Sequence, residues 1–170
     1  MSKPLELALM TPTLKRLGQV NQPPRVAVLG MGNELLSDDG AGIIVARALQ
    51  RLVSSHSRLL VIDAGPVPEN FTGQLRRFKP DLVLIVDAAQ LGEPAGTVRC
   101  VGWKSSNGFS GSTHSLPLHV LAGYLNAELG CEVLLLGIQP ADISAGSRLS
   151  VIVGQTVERL VPTLADILED

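Results

Sequence analysis

Residues 25–42 read RVAVLGMGNELLSDDGAG, and the fold turns on how that stretch is taken. Val26, Ala27, Val28 and Leu29 form a short continuous apolar run, the pattern of a strand buried on both faces of a parallel sheet. The run enters the turn Gly30-Met31-Gly32, and a helical pattern begins at Ala41 (AGIIVARALQRLV, 41–53). Strand, glycine turn and helix make the first half of a βαβ unit. The turn is either a loop that cradles a phosphate or a scaffold that presents Asp38 and Asp39.

A dinucleotide loop has the spacing G-x-G-x-x-G, whose third glycine lets the helix pack close to the strand. Here that third position is Leu35. Asp63 ends the second apolar run, about where a ribose-binding acid would fall, so a nucleotide-binding oxidoreductase domain stays as a third-ranked reading. Asp38 and Asp39 weigh against it. A helix N-terminus draws anions through its free N–H groups and its dipole, and two carboxylates already occupy that field and repel a pyrophosphate. The same field favours their ionised forms, which suits a hard or borderline cation. A plainer use also fits: Ser37, Asp38 or Asp39 as the N-cap of the helix. Both uses are compatible, with one acid capping and its neighbour pointing into a crevice.

Outward from this stretch, RLLVID (58–63), DLVLIVDA (81–88) and EVLLLGI (132–138) are further near-continuous apolar runs, and GTVRCVG (96–102) alternates like an edge strand. Helical patterns lie between them at ENFTGQLRRF (69–78) and PLHVLAGYLNAEL (117–129), with another from Gln155 to Leu168. In the last, Val157, Leu160, Val161, Leu164 and Leu168 share one face, and Pro162 predicts a kink or an early break. The alternation predicts a three-layer α/β/α sandwich: a twisted, mainly parallel sheet of about five strands with helices on both faces. Residues 1–24 read as an N-terminal extension, and 25–170 as a single α/β domain. In the extension Leu5, Leu9 and Leu17 suggest a short amphipathic helix that Pro4 and Pro12 interrupt and Pro23-Pro24 ends.

Bulk properties exclude several classes. The 170 residues are 45% hydrophobic and 18% charged, with a net charge of −2, so the chain reads as one with an apolar core, and nothing in its charge points to nucleic acid or anionic lipid. Its five aromatic residues are too few for a base-stacking surface. No stretch approaches the roughly 18 apolar residues of a membrane span, and the N-terminus makes a poor signal peptide, so the expected location is cytoplasmic. Cys100 and Cys131 lie far apart without a C-x-x-C pattern and read as small buried hydrophobes.

Two more positions carry chemistry. Asp87 ends the run LVLIV at the carboxyl edge of a central strand, where an acid is costly unless it meets a crevice, a cation or hydrogen-bond donors. An Asp closing a turn against backbone N–H groups is the equal alternative. His114, in GSTHSLPL (111–118), precedes a helix that Pro117 starts, a place where surface or capping histidines are common. His56 and His119 have no comparable position. Asp39, Asp87 and His114 together offer two oxygens and one imidazole nitrogen, a set that suits a divalent transition metal with positions left open. The residues alone take the reading no further than that.

In chain order, GMGNELLSDDGAG, VIDAGPVPEN, LVLIVDAA, STHSLPL and LLLGIQP resemble the motifs of the NiFe-hydrogenase maturation endopeptidases, across essentially all of the chain from Arg25. The DDG, VPEN and GIQP elements are most similar to the formate-hydrogenlyase, HycI-type, branch. DAG stands here where many relatives have DGG. The resemblance implies that Asp39, Asp87 and His114 ligate the metal and carry catalysis. It also implies that Gly30 and Gly32 shape the turn presenting Asp39, with Asp38 as the helix cap. Asp63 and Glu69 would meet the substrate tail. The implied reaction removes a short C-terminal extension from a hydrogenase large-subunit precursor after nickel insertion. The nickel would arrive in the precursor, on its cysteine thiolates. Whether the attacking water is polarised by the metal or by a carboxylate stays open. The alternative is a non-enzymatic nickel-binding assembly chaperone with the same ligands.

Overall fold

The structure is a computed structural model that describes residues 7–19, 21–54, 56–107, 109–111 and 116–170, with backbone alone at 110 and 111. Its strands are β1 (Val26–Met31), β2 (Leu59–Gly65), β3 (Leu82–Gln90), β4 (Val98–Gly102), β5 (Ser110–Gly111) and β6 (Glu132–Ile138). Its helices are α1 (Met10–Leu17), α2 (Ala41–Leu52), α3 (Thr72–Phe78), α4 (Leu118–Leu129) and α5 (Val151–Glu169). Short 3-10 turns at Ser37–Gly40 and Pro68–Phe71 lead into α2 and α3.

The main sheet has the order β2-β1-β3-β6-β4, and the four apolar runs are its parallel strands. β4 pairs antiparallel with β6 at the edge, as its alternation predicts, while β5 pairs antiparallel with the end of β3. Side chains alternate across the sheet and define two cores. Val28, Leu84 and Leu136 pack with Val45 and Leu49 of α2 and Leu160 and Leu164 of α5. On the other face, Leu29, Ile85 and Leu135 pack with Leu75 of α3 and Leu121 and Leu125 of α4. Burying each such side chain contributes about 1.5–3 kcal/mol. The result is the expected three-layer α/β/α sandwich.

Strand order reverses between β1 and β3, because β2 follows β1 on one side and β3 lies on the other. The crevice outside the carboxyl ends of such strands is where open α/β sheets bind ligands. Register brings Gly30 of β1 level with Asp63 of β2 and Val86 of β3, and Asp87 level with Gly137 of β6.

The N-terminal extension packs onto the domain, with Leu7 and Met10 buried in the α2/α5 core and Leu9 exposed. Leu5 and Pro4 lie outside the described residues. Pro12 does not interrupt α1, because it is the third residue of the helix, where the missing N–H has no intrahelical acceptor. Nor does Pro162 break α5, which runs unbroken from Val151 to Glu169 with the proline ring on its exposed side. No helix among the described residues is long and apolar enough to cross a membrane.

Candidate active site at the carboxyl edge of the sheet

The glycine turn answers the question its sequence raises. A Cβ on Gly32 (φ +140°) would fall 1.9 Å from the Asp39 carbonyl oxygen, so the turn closes directly onto the backbone that carries Asp39. The Gly32 N–H donates to the Gly65 carbonyl at 3.1 Å, and the Asn33 N–H donates to Asp39 Oδ2 at 2.9 Å. The amides that would cradle a phosphate are thus engaged by the chain itself. Leu35, in the third-glycine position, is 68% exposed. The close approach of helix to strand is made instead by Gly42 of α2: a Cβ there would lie 2.4 Å from the Met31 carbonyl oxygen. Gly30 faces the same contact, 2.2 Å from the Gly42 carbonyl oxygen.

Asp38, Asp39 and Asp87 are at most 1% exposed. Asp38 is not the cap of α2, which has no side-chain cap. Its carboxylate reaches across to the loop before α5. Oδ2 accepts from the Ala141 N–H at 2.8 Å, the Asp142 N–H at 3.0 Å and the Ser150 hydroxyl at 2.8 Å, and Oδ1 accepts from the Ser150 N–H at 2.7 Å. Ser150 itself caps α5, accepting from the Val153 N–H. Asp38 therefore anchors the start of a helix more than a hundred residues away, and four donors repay the cost of burying its charge. Backbone bonds reinforce the seam: Ser37 N–H to the Gly146 carbonyl, Gly146 N–H to Leu35, and Asp38 N–H to Asp142.

Asp39 follows β1 and Asp87 lies near the end of β3, so the two acids belong to the strands that flank the switch point. Strand alternation puts Asp87 on the α3/α4 face with Val83 and Ile85. His114 lies outside the described residues, and among those described no group of three His, Cys, Asp or Glu side chains is arranged to hold a metal. Gly111, three residues before His114, pairs with Ala89, two residues after Asp87.

Asp63 lies on the α2 face and is paired. Arg47 Nε donates to Asp63 Oδ2 at 2.7 Å, and its terminal nitrogens reach Glu34 at 2.6 and 3.3 Å. The bonds to Glu34 first, then to Asp63, hold the guanidinium above its ordinary range, and Arg47 holds Glu34 below the usual carboxylate value. Glu69 is exposed on the 3-10 turn after β2, at the same edge of the sheet. Burial pushes the Cys100 thiol up to about 12 and Cys131 to about 11, so neither is a thiolate nucleophile at neutral pH.

Sequence reasoning misses Arg47, Gln139 and Ser150. An arginine in the otherwise apolar start of α2 is a signal for Arg47, and a serine just before an apolar-periodic run is one for Ser150. For Gln139 the signal is its place directly after a buried strand.

Buried acids at the switch point of a doubly wound sheet, beside a glycine turn whose amides are taken by its own chain, mark an α/β protein whose crevice carries carboxylates where a nucleotide-binding fold cradles phosphate. Its relatives narrow the class. A family model described as hydrogenase maturation protease matches residues 43–167. A putative hydrogenase maturation protease of Methanocaldococcus jannaschii is 34% identical over 160 residues, covering 91% of this chain and 94% of that protein. The hydrogenase 3 maturation protease of Escherichia coli is 36% identical over 114 residues, 66% of this chain and 71% of the relative. Among solved structures, the NiFe-hydrogenase maturation protease HycI of Thermococcus kodakarensis superposes with a TM-score of 0.78 at 33% identity, over 86% of this chain and 94% of that one. The chain belongs to the hydrogenase maturation protease family.

Proposed function

We propose that this protease removes the C-terminal extension of a NiFe-hydrogenase large-subunit precursor once nickel is in place, with Asp39, Asp87 and His114 completing the shell of the nickel that the precursor brings. The observation that carries the reading is the burial of Asp39, in the turn between β1 and α2, and of Asp87, near the end of β3, beside the switch point of the sheet. Hard oxygen donors fit a divalent cation that still has positions to fill, and the buried thiols leave the soft ligands to the substrate. The pairing of Gly111 with Ala89 supports His114 as third ligand, since it starts the segment that carries His114 beside the end of β3.

Peptide hydrolysis needs water delivered to the scissile carbonyl and a base for its proton. Nickel supplies recognition and Lewis-acid polarisation when bound. The chain's carboxylates orient the metal-bearing tail, and one accepts the proton of the attacking water and passes it to the leaving amine. Glu69, and Asp63 within its pair with Arg47, border the path by which the tail arrives.

The test is the intact mass of a cognate precursor, nickel-loaded and nickel-free, after incubation with the protein. Loss of a C-terminal peptide from the loaded form alone is the expected result. A loaded, verified partner that keeps its mass overturns the protease reading in favour of a nickel-binding chaperone.

A further inference from the structure

The turn after β6, Gln139-Pro140-Ala141-Asp142, touches both halves of the proposed site. On one side, the Ala141 and Asp142 N–H groups hold Asp38, the residue before Asp39. On the other, the Gln139 side chain, only 7% exposed, grips the exit of β3. Its Oε1 accepts from the Leu91 N–H at 2.7 Å, and its Nε2 donates to Gln90 Oε1 at 3.0 Å and to the Pro140 carbonyl at 3.3 Å. Gln90 pairs in turn with Ser110, in the short strand that leads toward His114. The base of the turn is fixed to the sheet edge, because the Gln139 N–H donates to the Thr97 carbonyl and the Gly96 N–H donates to the Gln139 carbonyl.

We infer that Gln139 is a positioning residue for the proteolytic reaction: its amide, with the two N–H groups that follow it, forms one brace that sets the separation between Asp39 and Asp87. The inference rests on the reading that these two acids are the site. The physical case is one of chain connection. Asp39 lies in the 3-10 turn between β1 and α2, and Asp87 lies in β3, three residues before its end. Strand packing fixes Asp87, but the turn before α2 and the exit of β3 are separate pieces of chain that hold a common position only where something joins them. Asp38 ties the first to Ala141 and Asp142, Gln139 ties the second, and both ties meet in residues 139–142, with Asp38 held further by Ser150. A side chain buried at a strand end with both its acceptor and its donor in use is a costly way to fill space, and an apolar residue of that size fills it without the requirement. What the amide adds is direction.

The variants are Gln139→Leu, which nearly keeps the volume and loses all three side-chain bonds, and Gln139→Glu. The glutamate keeps an acceptor for the Leu91 N–H, and the exposed Gln90 amide turns to donate to its second oxygen, while the contact with the Pro140 carbonyl becomes repulsive. With nickel-loaded precursor and the full chain, Q139L is expected to lower kcat by about 10–100-fold with KM within about threefold, the signature of misplaced groups rather than lost binding. Q139E is expected to recover part of that loss, and the melting temperatures of both variants report whether folding explains it. Hydrogen exchange supplies a readout independent of activity: Q139L should speed exchange in peptides covering residues 33–41 and 84–91 together. A wild-type kcat in Q139L, equal impairment of Q139L and Q139E, or faster exchange confined to residues 88–91 each overturns the brace. If the wild-type protein leaves loaded precursor uncut, the protease reading falls on its own, and the exchange pattern alone decides the brace.

Discussion

Gly42 of α2 lies against the carbonyl of Val86 in β3, the residue before Asp87: a Cβ built on Gly42 would fall 2.2 Å from that oxygen. The helix that begins just after Asp39 is thereby seated on the strand that carries Asp87. Alanine at this position gains up to about 1 kcal/mol in helix propensity. It also forces two backbone oxygens away, those of Val86 and Met31, and neither can move as a side-chain tip would. Gly42→Ala is therefore expected to destabilise by about 3 kcal/mol or more, a fall in Tm of roughly 6–12 °C for a chain of this size. Gly154, inside α5 with nothing within 4 Å of a built Cβ, is the control. Gly154→Ala should stabilise by about 0.5–1 kcal/mol. Thermal unfolding of the two variants checks both signs.

The same glycine shows what was legible in the chain and what was not. The apolar runs report their strands within a residue or two, because strands buried on both faces need continuous hydrophobicity and little else produces it. The missing third glycine of the turn argued against a phosphate loop, and the close helix–strand packing it would have allowed is achieved twelve residues after Gly30, through Gly42. Prolines misled where position in the helix mattered more than identity: Pro12 falls in a first turn and Pro162 on a solvent face. Asp38 reads in the chain as the cap of α2, which it is not, and its role as the anchor of α5 is hidden because its partners at 141–150 are joined to it only by the fold. The same holds for Arg47 and Gln139, whose partners lie on other elements.

The anchor makes a graded prediction. Asp38→Ala strips the acceptor from three backbone N–H groups and one hydroxyl at a fully buried position. At about 1–3 kcal/mol for each buried donor left unmade, less what entering water recovers, the loss should exceed about 3 kcal/mol. Ser150→Ala removes one of those bonds and a long cap to Val153 at 3.4 Å, and should cost about 1–2 kcal/mol. Urea titrations that find Ser150→Ala the more damaging of the two would show that α5 is anchored by its cap and not by Asp38.

Glu34 provides a pH signature. Arg47 lowers its folded-state pKa below the ordinary 4.5. A depressed carboxyl stabilises the fold above its unfolded pKa, and that contribution is lost as pH falls through the folded value. The wild-type advantage in Tm over Glu34→Gln should accordingly be constant from pH 7 down to about 5 and shrink below 4.5. Both partners are partly exposed, so the advantage should be small and decline with added salt. An advantage that grows on acidification would contradict the pairing.

Adjacent acids at 38 and 39 should respond oppositely to the same chemistry. Asp38→Asn turns an amide NH2 toward N–H groups that need an acceptor, so it should lower Tm. Asp39→Asn keeps an oxygen for the Asn33 N–H and removes one negative charge from a buried neighbourhood that also holds Asp38. Its Tm should be equal to or above that of the wild type, the usual trade between a charged functional site and stability. Activity should order the other way: Asp39→Asn and Asp87→Asn should each lose about 10²–10⁴-fold in precursor cleavage, the range expected when a positioned acid or base is removed. Glu69→Gln, on an exposed turn, should change KM more than kcat. Unfolding curves and cleavage rates on the same preparations decide the matter. If Asp39→Asn is as destabilising as Asp38→Asn while cleavage survives, Asp39 is a structural acid and the site must be sought elsewhere along this edge.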